Sequence, residues 1–230
     1  MMNKIQETSQ NISNEIPTWA TGFITPQVLN QIESATKAGE QTTSGEIVPV
    51  LVRASSSEHG ARRVLALILV TAILVLVPLL GLNDYNWFYF LSELLCLVLV
   101  LVGVYWLPLP ASFLRFLVPT REQILRVDHR AELEFYRSRI QQTSGHTGIL
   151  LFVSLAERRA VVLADKGISH KLPQETWDDV LKILLNGFKK QDVGGGFSLA
   201  IARCAEILGE HFPRKADDRD ELANRLVFRE

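Results

Sequence analysis

The sequence predicts an α/β fold in which a helix-flanked mixed sheet is interrupted by an inserted two-helix transmembrane hairpin. Three observations predict it. Two long apolar runs, residues 64–82 and 88–107, are separated by a short turn. About 35 residues precede the hairpin and about 120 follow it once the N-terminal tail is set aside, a total that suits one small domain, and the N-terminal piece alone cannot bury a core. Those flanks also alternate helical spacing with short β-branched stretches, the pattern of a sheet with helices packed on it.

The hairpin sets the organisation. The run from Val64 to Leu82 carries no charge, and the run from Phe88 to Leu107 is broken only by Glu93. At about 1.5 Å per residue, each approaches the ~30 Å hydrocarbon thickness of a bilayer. The turn Gly-Leu-Asn-Asp-Tyr-Asn-Trp at 81–87 is too short for a domain, and Tyr85, Trp87, Phe88 and Tyr89 form an aromatic rim. Arg62 and Arg63 abut the first span and Arg115, Arg121 and Arg126 follow the second, whereas the turn offers only Asp84. The positive-inside rule therefore predicts a multi-pass protein of the inner (cytoplasmic) membrane, both termini cytoplasmic and the turn outside. Residues 1–20 are rich in Asn, Gln, Ser and Glu and have no apolar h-region, so they read as a disordered tail, and the first membrane helix is expected to act as the targeting signal.

Around the hairpin, residues 21–57 and 119–214 read as two parts of one domain, the hairpin occupying 62–108 and a C-terminal tail 215–230. Thr25-Pro26 is a cap with proline in the first turn, followed by Val28, Leu29, Ile32 and Ala35 at helical spacing up to Gly39. Glu46-Ile47-Val48-Pro49-Val50-Leu51-Val52 reads as a strand, and Pro49, lacking an N–H, argues for an edge position or a bulge. Thr120-x-x-Gln123 resembles a capping box opening a long charged helix, with Ile124, Val127, Ala131, Phe135 and Ile140 as its buried stripe. Gly148-Ile149-Leu150-Leu151-Phe152-Val153-Ser154 is nearly all apolar, as a central strand covered on both faces would be. Ala156-Glu157-Arg158-Arg159 reads as a hairpin turn into an antiparallel strand, Ala160-Val161-Val162-Leu163-Ala164. Two amphipathic helices close the unit, 174–188 with Trp177, Val180, Leu181, Leu184 and Phe188 inward, and 197–208 with Ile201, Ala205 and Leu208.

Composition excludes several classes of function. A formal net charge of -1 gives no case for nucleic acid as a partner. Of the two cysteines, Cys96 lies in a span and Cys204 in a helix, so neither a disulfide framework nor a Cys-x-x-Cys metal knuckle is predicted. The five histidines are scattered, with no His-x-x-x-His pair. No Gly-x-Ser-x-Gly elbow is present.

The succession Thr43-Ser44-Gly45-Glu46-Ile47-Val48, Thr147-Gly148-Ile149-Leu150-Leu151 with the Glu157-Arg158-Arg159 turn, Leu163-Ala164-Asp165-Lys166-Gly167-Ile168, and Asp192-Val193-Gly194-Gly195-Gly196-Phe197 resembles the TPM domain family, here with a membrane hairpin as in a bacterial subgroup. The resemblance covers roughly residues 22–55 and 120–213. It implies an α/β/α sandwich with a mixed sheet, divalent-metal binding in some members and phosphatase activity in others. Many members carry a signal peptide and a C-terminal anchor. This chain departs from that plan, because its hairpin falls between the first strand and the next helix.

Candidate sites follow from the residues. Asp165 ends a strand, where a carboxylate is a natural oxygen ligand for Ca²⁺ or Mg²⁺ or, equally, the cap of a turn. Glu46 starts the first strand and would join Asp165 if the antiparallel third strand brings its end to the same sheet edge; otherwise it is a solvated carboxylate. Asp192 is either a third ligand or an N-cap. Gly194, Gly195 and Gly196 open a helix whose free amides could hold an anion, or whose lack of side chains allows close packing. Asp217, Asp218, Asp220 and Glu221 read as a solvated helix start. Glu93, a carboxylate in a span, is a functional candidate that also reaches the interface by snorkelling. Two functions fit. One is a membrane-held interaction, assembly or quality-control module that partners the lipid bilayer and another membrane protein. The other is a metal-assisted phosphatase in which Glu46 and Asp165 hold the cation.

Overall fold

The computed structural model describes residues 16–56, 58–79, 87–106, 118–218 and 220–230. The chain divides into two compact units, Met1–Ser55 with Arg126–Glu230, and Ser56–Leu125. The helices are α1 (Pro26–Glu40), α2 (Glu58–Leu79), α3 (Trp87–Trp106), α4 (Thr120–Arg137), α5 (Asp178–Lys189) and α6 (Val193–His211). The strands are β1 (Glu46–Val52), β2 (Gly148–Ser154), β3 (Arg159–Ala164) and β4 (Val227–Arg229).

The first unit is a mixed α/β fold around a four-stranded sheet of order β3-β2-β1-β4. β1 runs parallel to β2 and to β4, and β2 pairs antiparallel with β3. Alternation along the strands splits the core into two layers. Ile47, Leu51, Ile149, Leu151, Val153 and Val162 pack with residues of α1, α5 and α6 and with Trp177. Val48, Val50, Val52, Leu150 and Phe152 pack with Val127 and Ala131 of α4 and with Ile140. β1 and β2 are buried at every position, which explains their unbroken apolar sequences. Helix α1 starts as expected, with Thr25 Oγ1 accepting from Val28 N at 3.3 Å.

Pro49 does not mark an edge strand, because β1 is flanked on both sides. The reason lies in the register. Successive residues of a parallel strand point their peptide groups to opposite neighbours. Arg53 N donates towards β4, to Arg229 O at 3.1 Å, so Pro49 faces the same side. β4 begins opposite Val50, so no ladder partner waits for the N–H that Pro49 lacks. The C-terminus differs from the tail expected over 215–230: Leu226 is buried and β4 extends the sheet. Of the tail expected over 1–20, residues 1–15 lie outside the described residues, whereas Ile16 and Ala20 are buried in the core. At the start of α4 the Gln123 side-chain amide donates to Val118 O at 2.9 Å and its backbone N–H to Pro119 O at 3.1 Å.

In the second unit, Ala66 of α2 and Val104 of α3 are buried, and Arg62 Nη1 of α2 donates to Val104 O at 2.8 Å. Among the described residues no helix is long and apolar enough to cross a membrane, so the expected spans 64–82 and 88–107 are not present as such. Glu58, Arg62 and Arg63 occupy the opening turns of α2, leaving from Val64 to Leu79 roughly 24 Å of uncharged helix at 1.5 Å per residue. Glu93 interrupts α3. The expected turn at 81–87 lies outside the described residues except for Trp87, as do Leu107 and Arg115.

Candidate functional site

The amino ends of β1 and β2 and the end of β3 form one edge of the sheet. Glu46 pairs with Gly148, and Asp165 N donates to Gly148 O at 2.9 Å, so Glu46 and Asp165 share that edge with β2 between them. Two strand spacings separate them by roughly 10 Å. Both carboxylates are committed to the protein. Asp165 caps the short helix Lys166–Ser169, its Oδ1 accepting from Lys166 N at 2.7 Å and its Oδ2 standing 3.1 Å from His146 Nδ1. Glu46 holds the C-terminal segment, its two oxygens accepting from Glu221 N at 3.1 Å and Leu222 N at 3.2 Å.

A second buried carboxylate stands beside Glu46. Glu40 ends α1, is only 3 % exposed, and accepts from Ile47 N at 2.9 Å through Oε1, while its Oε2 is buried with no partner among the described residues. Arg214 bridges the region, donating to Glu40 O at 2.9 Å and to Asp220 Oδ1 at 3.3 Å. Glu221 in turn accepts from Ser144 N at 2.9 Å and from the Ser144 hydroxyl. Loss of water pushes the Glu40 carboxyl up to about 8; the Ile47 amide opposes this, and the charges of Glu46 and Asp220 add to it. Burial also raises Glu46, against the pull of the Glu221 and Leu222 amides. At neutral pH Glu40 therefore holds a proton, and this edge changes charge with pH.

Asp192 lies elsewhere. It caps α6, with Oδ1 accepting from Gly195 N at 2.9 Å, and Gly194 packs against Val28 and Gln31 at the start of α1, the opposite end from Glu40. The structure thus brings Glu46 and Asp165 to one edge and leaves Asp192 away from both. Among the described residues no group of three or more His, Cys, Asp or Glu side chains could hold a metal ion. Glu46, Asp165 and Asp192 do not fit one Ca²⁺ or Mg²⁺. Nor do the glycines present an open anion cradle: Gly195 N is taken by the Asp192 side chain and Gly196 N donates to Asp192 O at 3.0 Å. Their placement reflects close helix packing, since a Cβ on Gly187 would lie 2.4 Å from the Gly196 Cα.

Sequence reasoning passes over Glu40, Arg214 and Asp220 as site residues; Asp220 and Glu221 are exposed as it expects, but they open no helix. A signal for Glu40 exists: Leu29, Ile32, Thr36 and Glu40 follow one another by three or four residues along the buried face of α1, so a carboxylate occupies a core position. Nothing local marks Glu221, whose partners Ser144 and Glu46 lie 77 and 175 residues away in the chain.

Residues 117–207 match the TPM domain. Over those residues the chain is similar to the TPM domain. The match runs from the start of α4 into α6, so the central strand β1, with α1 before it, precedes the matched residues. The fold is similar to that of the BA42 protein from the psychrophilic bacterium Bizionia argentinensis, solved by NMR, with a TM-score of 0.56 at 20% sequence identity over 90% of this chain and 96% of that one. No curated protein matches the chain.

Proposed function

We propose that this chain is an integral protein of the inner membrane, with α2 and α3 as a hairpin in the lipid bilayer. The hairpin holds a cytoplasmic TPM domain that acts as an interaction, assembly or quality-control module for another membrane protein. The observation that carries this reading is the surface of the second unit. Leu67, Leu74, Val75 and Leu76 of α2 and Leu95, Leu99 and Val102 of α3 are about half exposed or more, Leu67 at 67% and Leu99 at 62%. Leaving such a side chain in water rather than burying it costs about 1.5–3 kcal/mol. A contiguous apolar surface of this kind needs a cover, and lipid supplies one on every side. In the sequence the apolar runs continue past the described helix ends, with Leu80 and Leu82 after α2 and Leu107 after α3. The arginines on the flanks favour cytoplasmic termini. On the TPM domain, a groove of about 640 Å³ between α1 and α6, lined by Ala35, Ala38, Gly39, Ala202 and Ala205, offers a surface for a partner.

The phosphatase reading finds less support, since the carboxylates it needs are separated or bonded to the protein. Topology tests the membrane reading. The full chain is expected to stay in the membrane fraction at alkaline pH, to behave as cytoplasmic in C-terminal reporter fusions, and, with Asn83→Cys, to be labelled from outside. Release by alkali would overturn the membrane reading, and labelling only after permeabilisation would overturn the orientation.

A further inference from the structure

The α4 layer carries a polar centre unrelated to the acidic edge. Glu134 occupies the buried stripe of α4 after Val127 and Ala131 and is fully buried. Its Oε1 accepts from Arg130 Nε and from Arg137 Nη1, both at 3.1 Å, and its Oε2 accepts from Arg229 Nε at 3.2 Å. Three guanidinium groups therefore share one carboxylate, so positive charge exceeds negative around Glu134. Arg130 also donates to Glu230 O at 2.5 Å, and Arg229 to Phe228 O at 3.1 Å. These bonds fix the planes of the forks without covering them: the Arg130, Arg137 and Arg229 side chains are 22%, 52% and 42% exposed.

One arginine would neutralise Glu134, and two would satisfy both of its oxygens. The third adds like-charge repulsion that an anion in solution would relieve. The position is also one where ligands enter α/β folds. Arg229 ends β4, opposite Val52 at the carboxyl end of β1, and open α/β sheets bind their ligands outside the carboxyl ends of parallel strands. A guanidinium fork matches two oxygens of a phosphate, and the partly exposed forks leave donors for them.

We propose that Arg130, Arg137 and Arg229 form a binding site for a phosphate dianion, either inorganic phosphate or a phosphomonoester group, with Glu134 as the positioning residue that presents the three forks. The group is supplied by a soluble phosphomonoester or by a phosphomonoester lipid headgroup. The site does not depend on the membrane reading.

The test uses the full chain in micelles of a neutral detergent, titrated with inorganic phosphate while the arginine Nε–H signals are followed by NMR. Saturable shifts of the Arg137 and Arg229 signals are expected. Arg137→Gln and Arg229→Gln should each weaken binding about tenfold, the weight of a charge-assisted hydrogen bond. Arg203→Gln, which loses an exposed pair with Glu206 on α6, should leave affinity unchanged. Glu134→Gln separates positioning from charge, because it raises the net positive charge yet should weaken binding; tighter binding by that variant would remove Glu134 from the proposal. Source is read in lipid discs. A shift on adding phosphoserine to phosphatidylcholine discs assigns a soluble ligand, and a shift only when phosphatidic acid is included assigns the headgroup. Absence of any shift up to about 10 mM phosphate, or an equal response in Arg137→Gln and Arg229→Gln, would overturn the site.

Discussion

Replacing Glu40 by glutamine should change how the stability of this protein depends on pH. Its carboxyl is held near 8 in the folded chain against 4.5 for an unperturbed Glu, chiefly because burial strips it of water. An acid raised in the folded state contributes stability that is fully present below the unfolded value and is lost as pH rises through the folded one. Here the window runs from about 4.5 to about 8. The displacement is about 3.5 pH units, and at 1.36 kcal/mol per unit the ceiling is about 5 kcal/mol. Water reaching the ionised group lowers that figure, so a loss of about 2 kcal/mol between pH 5 and pH 8 is the size to look for. Glu40→Gln keeps an acceptor for Ile47 N–H and cannot ionise. The variant and the parent should therefore be about equally stable at pH 5, and the variant more stable by about 2 kcal/mol at pH 8. Urea denaturation of the full chain in neutral detergent, followed by circular dichroism from pH 5 to 9, measures the difference. Glu46 is raised by the same cause and leaves some slope in both proteins, so the difference between the two curves is the quantity that matters. A difference that stays constant across that range would refute the assignment of a buried, protonated Glu40, as would a ¹³C carboxyl titration of Glu40 with its midpoint near the ordinary 4.5.

Other consequences concern the fold. Replacing residues 58–112 with a short flexible linker is expected to leave a cooperatively folding α/β domain, whereas a fragment of residues 120–230 should not fold, because β1 would be missing from between β2 and β4; a sharp melt and dispersed amide signals from the fragment alone would contradict this. Gly196→Ala puts a Cβ 2.9 Å from the Gly187 Cα, so α5 and α6 must separate and stability should fall by about 1–3 kcal/mol in the same urea assay. An unchanged midpoint would show that the two helices have room to spare.

Which parts of this molecule were legible in sequence follows from the range of the forces involved. Helix α1 is announced by Thr25-Pro26 and a periodic stripe, and the strands of the parallel pair by unbroken β-branched and aliphatic runs, because caps and periodicity are local. The same holds for the order of elements and for the apolar stretches that became α2 and α3. Local signals do not say which strand lies in the middle. Pro49 pointed to an edge, yet β1 is central, since a tertiary partner only three residues long stops just short of the proline. Nor do they say where a carboxylate ends up. Asp192 was grouped with Asp165 by residue type and separated by the packing of α6 against α1, while Glu40 became part of the acidic edge through contacts with β1 and with Arg214, 174 residues away. The short strand β4 is the clearest case: three residues make a weak strand alone, and they form one because β1 offers an open flank along which their N–H and C=O groups find partners.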